Sequence, residues 1–175
     1  AAWRLIGEHG GEITLLGSMH VLRAADYPLP ASVDVLFERA QVLIMELDLD
    51  DVDAAAQQGV ILGAATLARG QVLRDVVTAP VYRLTEQRTR ELGVNLTLLE
   101  RFEPWFVAIT VLDQGMRKLG FQPERGLEQH LLGKSQRAGK EILGLETLEM
   151  QIGIFDALPP SSQQAMLEQT LSELD

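Results

Sequence analysis

Apolar and polar positions follow two different periods along this chain, and the switches between them mark its elements. Trp3 to Glu8 and Ile13 to Gly17 are short, β-rich runs on either side of His9-Gly10-Gly11-Glu12. The Gly-Gly step predicts a tight turn, because glycine reaches positive φ without a Cβ penalty, so the two runs form an N-terminal β-hairpin. Arg23 to Pro30, with Asp26, Pro28 and Pro30, reads as a loop. Val33, Leu36 and Phe37 then share one face of a helix running from Ala31 to about Ala40. Val42-Leu43-Ile44-Met45 is a continuous apolar run and predicts a strand over Gln41 to Leu49, buried like the run Ile13 to Leu16. Asp50-Asp51 opens the next helix, where acids suit the positive end of the helix dipole.

The middle of the chain has helical spacing. Ala54 to Leu67 is apolar and interrupted by Gly59 and Gly63; Val81 to Leu92 ends at Gly93, which fits a C-terminal cap. Pro104 suits the first turn of a helix that continues from Trp105 to Leu119 and stops at Gly120. Leu127 to Ala138 predicts another helix, ended by Gly139, and Glu141 to Leu145 a fourth strand. Thr147 to about Leu158 and Ser161 to Leu174 complete the series as helices. The order predicts a single α/β domain over 1–175, borderline α+β, with a small mixed sheet, an N-terminal hairpin and many surrounding helices.

Composition narrows the function classes. The chain has 175 residues, 46% of them hydrophobic and 23% charged, the balance of a soluble globular domain. No apolar run approaches the length needed to span a bilayer. The start, Ala1-Ala2-Trp3-Arg4, lacks the basic and apolar regions of a signal peptide, while Ala-Ala is what signal cleavage leaves behind. The net charge of -10 argues against a nucleic-acid partner. With 0 cysteines there is no disulfide, thiolate zinc site or cysteine nucleophile. The sequence also lacks a Gly-x-Ser-x-Gly elbow, a phosphate loop, a Gly-x-Gly-x-x-Gly turn and a His-Glu-x-x-His helix.

The remaining chemistry sits where apolar runs stop. Gly17-Ser18-Met19-His20 follows the second strand, and Glu46 lies in Met45-Glu46-Leu47-Asp48. Neighbouring strands would carry both groups to one sheet edge, where ligand sites of α/β folds collect. His20 reads either as a metal ligand or general base, or as a strand-end imidazole bonded to a backbone carbonyl. Glu46 follows four apolar residues, so its backbone is expected to be buried. A carboxylate there is costly unless it binds a metal, acts as a base, or pairs with a cation such as Arg4 or Arg23. Asp48 falls on the same strand face. Later stretches add Glu128 in Gly126-Leu127-Glu128-Gln129-His130, and Glu146 with Gln151 after the fourth strand. Glu146 also reads as an acid near a helix start capped by Thr147. His130 is expected on a helix surface and His9 in solvent.

In that order these stretches resemble the TraB/GumN family, which includes the Tiki-type metalloproteases. Leu15-Leu16-Gly17-Ser18-Met19-His20-Val21 is similar to its first Gly-x-x-His signature, and Val42 to Leu49 to its glutamate-bearing strand. Gly126-Leu127-Glu128 resembles a segment that more often reads Gly-x-Asp, and Lys140 to Gln151 the Leu-Glu-Thr segment. The family's Arg-Asn segment and second Gly-x-x-His have no counterpart here, so the chain looks like the N-terminal portion of a longer protein.

The resemblance implies a bacterial metal-dependent hydrolase, with peptide or protein as substrate. A divalent ion, Mn²⁺, Co²⁺ or Zn²⁺, would bind His20 and a carboxylate and activate water, with Glu46 as ligand or base. Glu128, Glu146, Gln151 and Asp48 are secondary candidates. If the second histidine completes the site, this portion is inactive alone. The alternative is a peptide-binding, pheromone-shutdown-like module without catalysis; the third reading is a structural His20–Glu46 pair. Relatives with signal peptides favour an exported, periplasmic protein over a cytoplasmic one. An uncovered apolar surface would favour a homodimer.

Overall fold

A computed structural model of the chain describes residues 1–48 and 54–174. The predicted helix start at Asp50-Asp51 and the predicted strand end at Leu49 lie outside them. In chain order the elements are β1 (Ala2–Ile6), β2 (Glu12–Leu16), α1 (Ala31–Arg39), β3 (Val42–Leu47), α2 (Ala54–Ala65), α3 (Leu73–Val76), α4 (Ala79–Leu92), α5 (Pro104–Lys118), α6 (Leu127–Ala138), β4 (Glu141–Glu146), α7 (Leu148–Asp156) and α8 (Pro160–Ser172). The class is mixed α/β. The strands form two two-stranded sheets, β1-β2 and β3-β4, so the strands before His20 and around Glu46 pair with different partners. Among the described residues no helix is long and apolar enough to cross a membrane.

Two compact units divide the chain, residues 1–51 with 120–145, and residues 52–119 with 146–175. In the first, β1 and β2 pair antiparallel from Ala2↔Leu16 to Ile6↔Glu12. The predicted turn forms, with Gly10 at φ 85° and the Gly7 amide donating to the Gly11 carbonyl at 2.7 Å. The strands are not buried as expected: Ile13, Leu15 and Ile44 are exposed, and only Met45 of the two predicted runs is enclosed. An apolar run states what a strand needs covered, and a two-stranded ribbon does not cover its own faces. The unit's interior is instead Leu22, Val33, Phe37, Met45, Leu127 and Leu132. Lys140 closes the end of α1 by donating to the Phe37 and Ala40 carbonyls, both at 2.6 Å, with its ammonium 4.2 Å from the Phe37 ring centroid. Gly144 lets β4 lie against the end of β3, since a Cβ there would stand 2.5 Å from the Asp48 amide nitrogen.

The second unit is helical, and its core is Leu73, Val77, Val81, Leu99, Val107, Ala108, Val111, Leu167 and Leu171. These come mainly from α3, α4, α5 and α8, and in the three longer helices the apolar positions recur at helical spacing. Thr85 and Thr89 are buried because each hydroxyl donates one turn back, to the Val81 carbonyl at 2.9 Å and the Thr85 carbonyl at 2.8 Å. Gly93 ends α4 in the left-handed region at φ 76°, as expected. The four-residue α3 left no legible period in the sequence.

At the start of α5, burial holds the Glu103 carboxyl above the usual range, and the Asp156 charge adds to this. A raised folded-state value means the native chain binds more protons than the unfolded one. Stability therefore falls as pH rises from the ordinary carboxylate range through the raised value. Glu103→Gln is expected to remove that decline without lowering stability at neutral pH. Urea unfolding midpoints of both proteins between about pH 4 and pH 7 check this.

Candidate functional site

The segment after β2 is stitched to the approach of α6. Leu22 and Gln122 exchange backbone hydrogen bonds of 3.3 and 2.9 Å, and the Leu127 amide donates to the Met19 carbonyl at 2.8 Å. Between these two links, Gly126 sits directly on the His20 backbone. A Cβ at Gly126 would stand 2.4 Å from the His20 carbonyl oxygen and 2.9 Å from its carbon. The glycine of Gly126-x-Glu128 is thus required by a close backbone approach. Glu128 follows in the first turn of α6.

That approach brings three side chains of the first unit together. The Nδ1 atom of His20 is 3.3 Å from Glu128 Oε1, and the Ser18 hydroxyl donates to the same oxygen. The imidazole is open to solvent, its side chain 69% exposed, whereas the Glu128 side chain is 22% exposed. Glu128 Oε2 is enclosed and has no hydrogen-bond partner among the described residues. A carboxylate beside Nδ1 favours a proton on that nitrogen and leaves the Nε2 lone pair for a ligand or a proton. Ser18, which sequence reasoning did not single out, holds the carboxylate that faces the ring. Its only signal was its place inside Gly17-x-x-His20.

Glu46 is exposed, contrary to the expectation of a buried backbone position. Met45 is the enclosed residue of this stretch, and the two-residue period of β3 turns Glu46 to the opposite face with the exposed Ile44. The cations considered for Glu46 are engaged elsewhere, Arg4 with Glu12 at 2.6 Å and Arg23 with Asp26 at 2.9 Å. Asp48 lies half-buried against Gly144. In the second unit, Gln151 donates to Glu146 at 2.9 Å, and the Thr147 hydroxyl caps α7 by accepting from the Met150 amide at 3.2 Å. His9 is exposed in the turn, as expected.

His130 departs from the expected surface position. It is half-buried with Nε2 enclosed, and its ring centroid is 5.9 Å from that of Tyr27. The Tyr27 hydroxyl donates to the Arg125 carbonyl at 2.7 Å, fastening the preceding loop across this side of α6. Nearby, Lys134 donates to Asp34 at 2.6 Å and is the main cause of that carboxyl's lowered pKa, with the His130 charge a minor contribution.

The donor types suit a divalent ion, since imidazole and carboxylate oxygen are available without thiolate. The donor number does not: among the described residues no three His, Asp or Glu side chains gather closely enough to hold a metal.

Comparison with known proteins supplies the lineage. The chain is 25% identical over 158 residues to the protein named Uncharacterized protein YbaP in Escherichia coli (strain K12), and equally to the YbaP of Shigella flexneri. The alignment takes in 90% of this chain and 56% of each relative, so the chain spans little more than half their length. No solved structure matches it. The model of the TraB/PrgY/gumN family matches residues 1–175, the whole chain. By that match, and in keeping with the four ordered motifs, the chain belongs to the TraB/PrgY/gumN family.

Proposed function

We propose that this chain carries part of the active site of a metal-dependent hydrolase acting on peptide bonds. The observation that supports the reading is the solvent-open His20 imidazole with the half-buried Glu128 carboxylate at its Nδ1 side. Metal-binding and general-base histidines share this arrangement, because the second nitrogen must be held if the first is to aim. In this reading His20 Nε2 binds the ion or takes a proton, Glu128 orients the ring, and Ser18 steadies Glu128. Glu46 is the second proposed ligand or base. Mn²⁺, Co²⁺ or Zn²⁺ bound there would lower the pKa of a coordinated water. Two protein donors are fewer than such an ion takes from a tight site, so this chain alone should bind weakly.

Calorimetric titration with Mn²⁺, Co²⁺ and Zn²⁺ tests the proposal, with His20→Ala, Glu46→Gln and Glu128→Gln as variants. Weak binding that His20→Ala abolishes, that Glu46→Gln weakens, and that Glu128→Gln reduces about 10- to 100-fold is expected. Heats unchanged in His20→Ala would overturn the site. The peptide-binding alternative would then be preferred, with a basic or neutral peptide suited to the charge of -10.

A further inference from the structure

One edge of the β1–β2 ribbon leads into the His20 segment. The two strands keep a constant register from Ala2↔Leu16 to Ile6↔Glu12. Hydrogen bonds just beyond both ends fix the phase of the ladder: the Gly17 amide donates to the Ala1 carbonyl at 3.0 Å, and the Gly7 amide to the Gly11 carbonyl at 2.7 Å. Bonded and non-bonded pairs alternate in an antiparallel ladder, so Trp3↔Leu15 and Leu5↔Ile13 are the bonded pairs between the strands. The backbone groups of Glu12, Thr14 and Leu16 therefore point away from β1. Among the described residues they meet no hydrogen-bond partner, since β3 and β4 pair with each other and not with β2. His20 follows Leu16 after only Gly17-Ser18-Met19.

We propose that the outer edge of β2 docks an extended peptide substrate, which adds to the ribbon as a third strand and is carried toward His20. The choice of occupant rests on the reading of a hydrolase acting on peptide bonds. A row of N–H and C=O groups at strand spacing is matched by another extended backbone and not by a compact ligand. The edge is also continuous with the candidate site, because β2 passes directly into the segment whose imidazole is 69% exposed. Side chains then set a sequence preference. An added strand continues the pleat, so its alternate residues would fall beside Ile13 and Leu15, which are 59% and 53% exposed. Its other residues would fall beside Glu12, Thr14 and Leu16. The suited peptide therefore alternates apolar with polar residues, and the net charge of -10 favours lysine or arginine among the polar ones. The same charge disfavours a second copy of the chain on this edge.

A capped, fluorescent peptide of about eight residues alternating valine and lysine tests this, added to the 175-residue chain without metal. Anisotropy should give a dissociation constant on the order of 100 µM, and hydrogen exchange at the Thr14 and Leu16 amides should slow as the peptide saturates. N-methylation of every second peptide amide gives two isomers of equal charge. The isomer methylated on the amides that face β2 should bind at least about tenfold more weakly, and the other should keep its affinity. Thr14→Pro removes one outward N–H and spares the ladder to β1, as an edge strand permits. It should weaken binding at least about tenfold with an unchanged unfolding midpoint; if it disturbs the hairpin, the two isomers still decide. No binding up to about 1 mM, equal behaviour of the two isomers, or a folded Thr14→Pro with unchanged affinity would overturn the proposal. Protection of the Thr14 and Leu16 amides before peptide is added would overturn it equally, in this chain or in one lengthened to match its relatives, and would give the edge to a second copy or to further chain. Because the titration uses no metal, its failure leaves metal binding at His20 standing, and failure of the metal site leaves the peptide result standing.

Discussion

Gly126→Ala is expected to lower the stability of the first unit by about 1–3 kcal/mol and to part His20 from Glu128. The backbone itself would accept alanine, since Gly126 has φ -53° and ψ 153°. The cost is contact: the new methyl would stand 2.4 Å from the His20 carbonyl oxygen and 3.1 Å from that of Pro123. Both are backbone atoms, the Pro123 oxygen accepting from the Gly126 amide at 2.9 Å and His20 lying between the Met19–Leu127 and Leu22–Gln122 links, and neither can swing aside as a side-chain tip would. Relief requires the Met19–Leu127 link of 2.8 Å to lengthen, and with it the placement of Glu128 beside the imidazole. Gly133→Ala is the matched control. It lies inside α6, where the added methyl meets only the flexible Arg137 guanidinium at 3.3 Å. Helix propensity should make it neutral or stabilising by about 0.5–1 kcal/mol. Urea denaturation of the three proteins, with the His20 imidazole followed by NMR, checks both statements. Equal midpoints for Gly126→Ala and wild type would refute the close-approach argument.

Trp105→Ala should cost the second unit about 3–5 kcal/mol. The indole is 1% exposed, stacks on Phe155 at 5.5 Å between centroids and meets Phe106 edge-on at 5.7 Å. Removing it opens a cavity lined by aromatic rings, which cannot collapse without losing each other. Trp105→Phe should cost much less. The indole N–H is enclosed without a partner among the described residues, and phenylalanine removes that donor while keeping most of the volume. Denaturant midpoints order the proteins as wild type, then Trp105→Phe close by, then Trp105→Ala well below. A Phe variant as unstable as the Ala variant would mean that the indole N–H is satisfied after all.

The placement of secondary structure was legible because its signals are local. Glycine followed by glycine closed the hairpin, Gly93 and Gly139 ended their helices at φ 76° and 64°, and Thr147 capped α7. The site was legible only in part. Gly17-x-x-His20 and Gly126-x-Glu128 stood out as motifs, but 110 residues separate Ser18 from the carboxylate it meets. Nothing within either motif states that they touch. Glu128 ranked behind Glu46 because a carboxylate after four apolar residues looks buried, whereas burial depends on what covers a strand. For β3 only the Met45 side is covered.

Sequence alone therefore determined the strands and the longer helices, the family and the residue types from which a hydrolytic site can be built. Each follows from near-neighbour rules: φ freedom at glycine, cap chemistry, apolar period and motif order. Tertiary structure alone decided which groups meet. It set Glu128 and Ser18 beside His20, turned Glu46 to an exposed face, half-buried His130 beside Tyr27, and left Trp3, Leu5, Ile13 and Leu15 open. Those outcomes depend on the approach of segments far apart in the chain. Here that approach rests on Gly126, whose missing Cβ makes room for the His20 carbonyl.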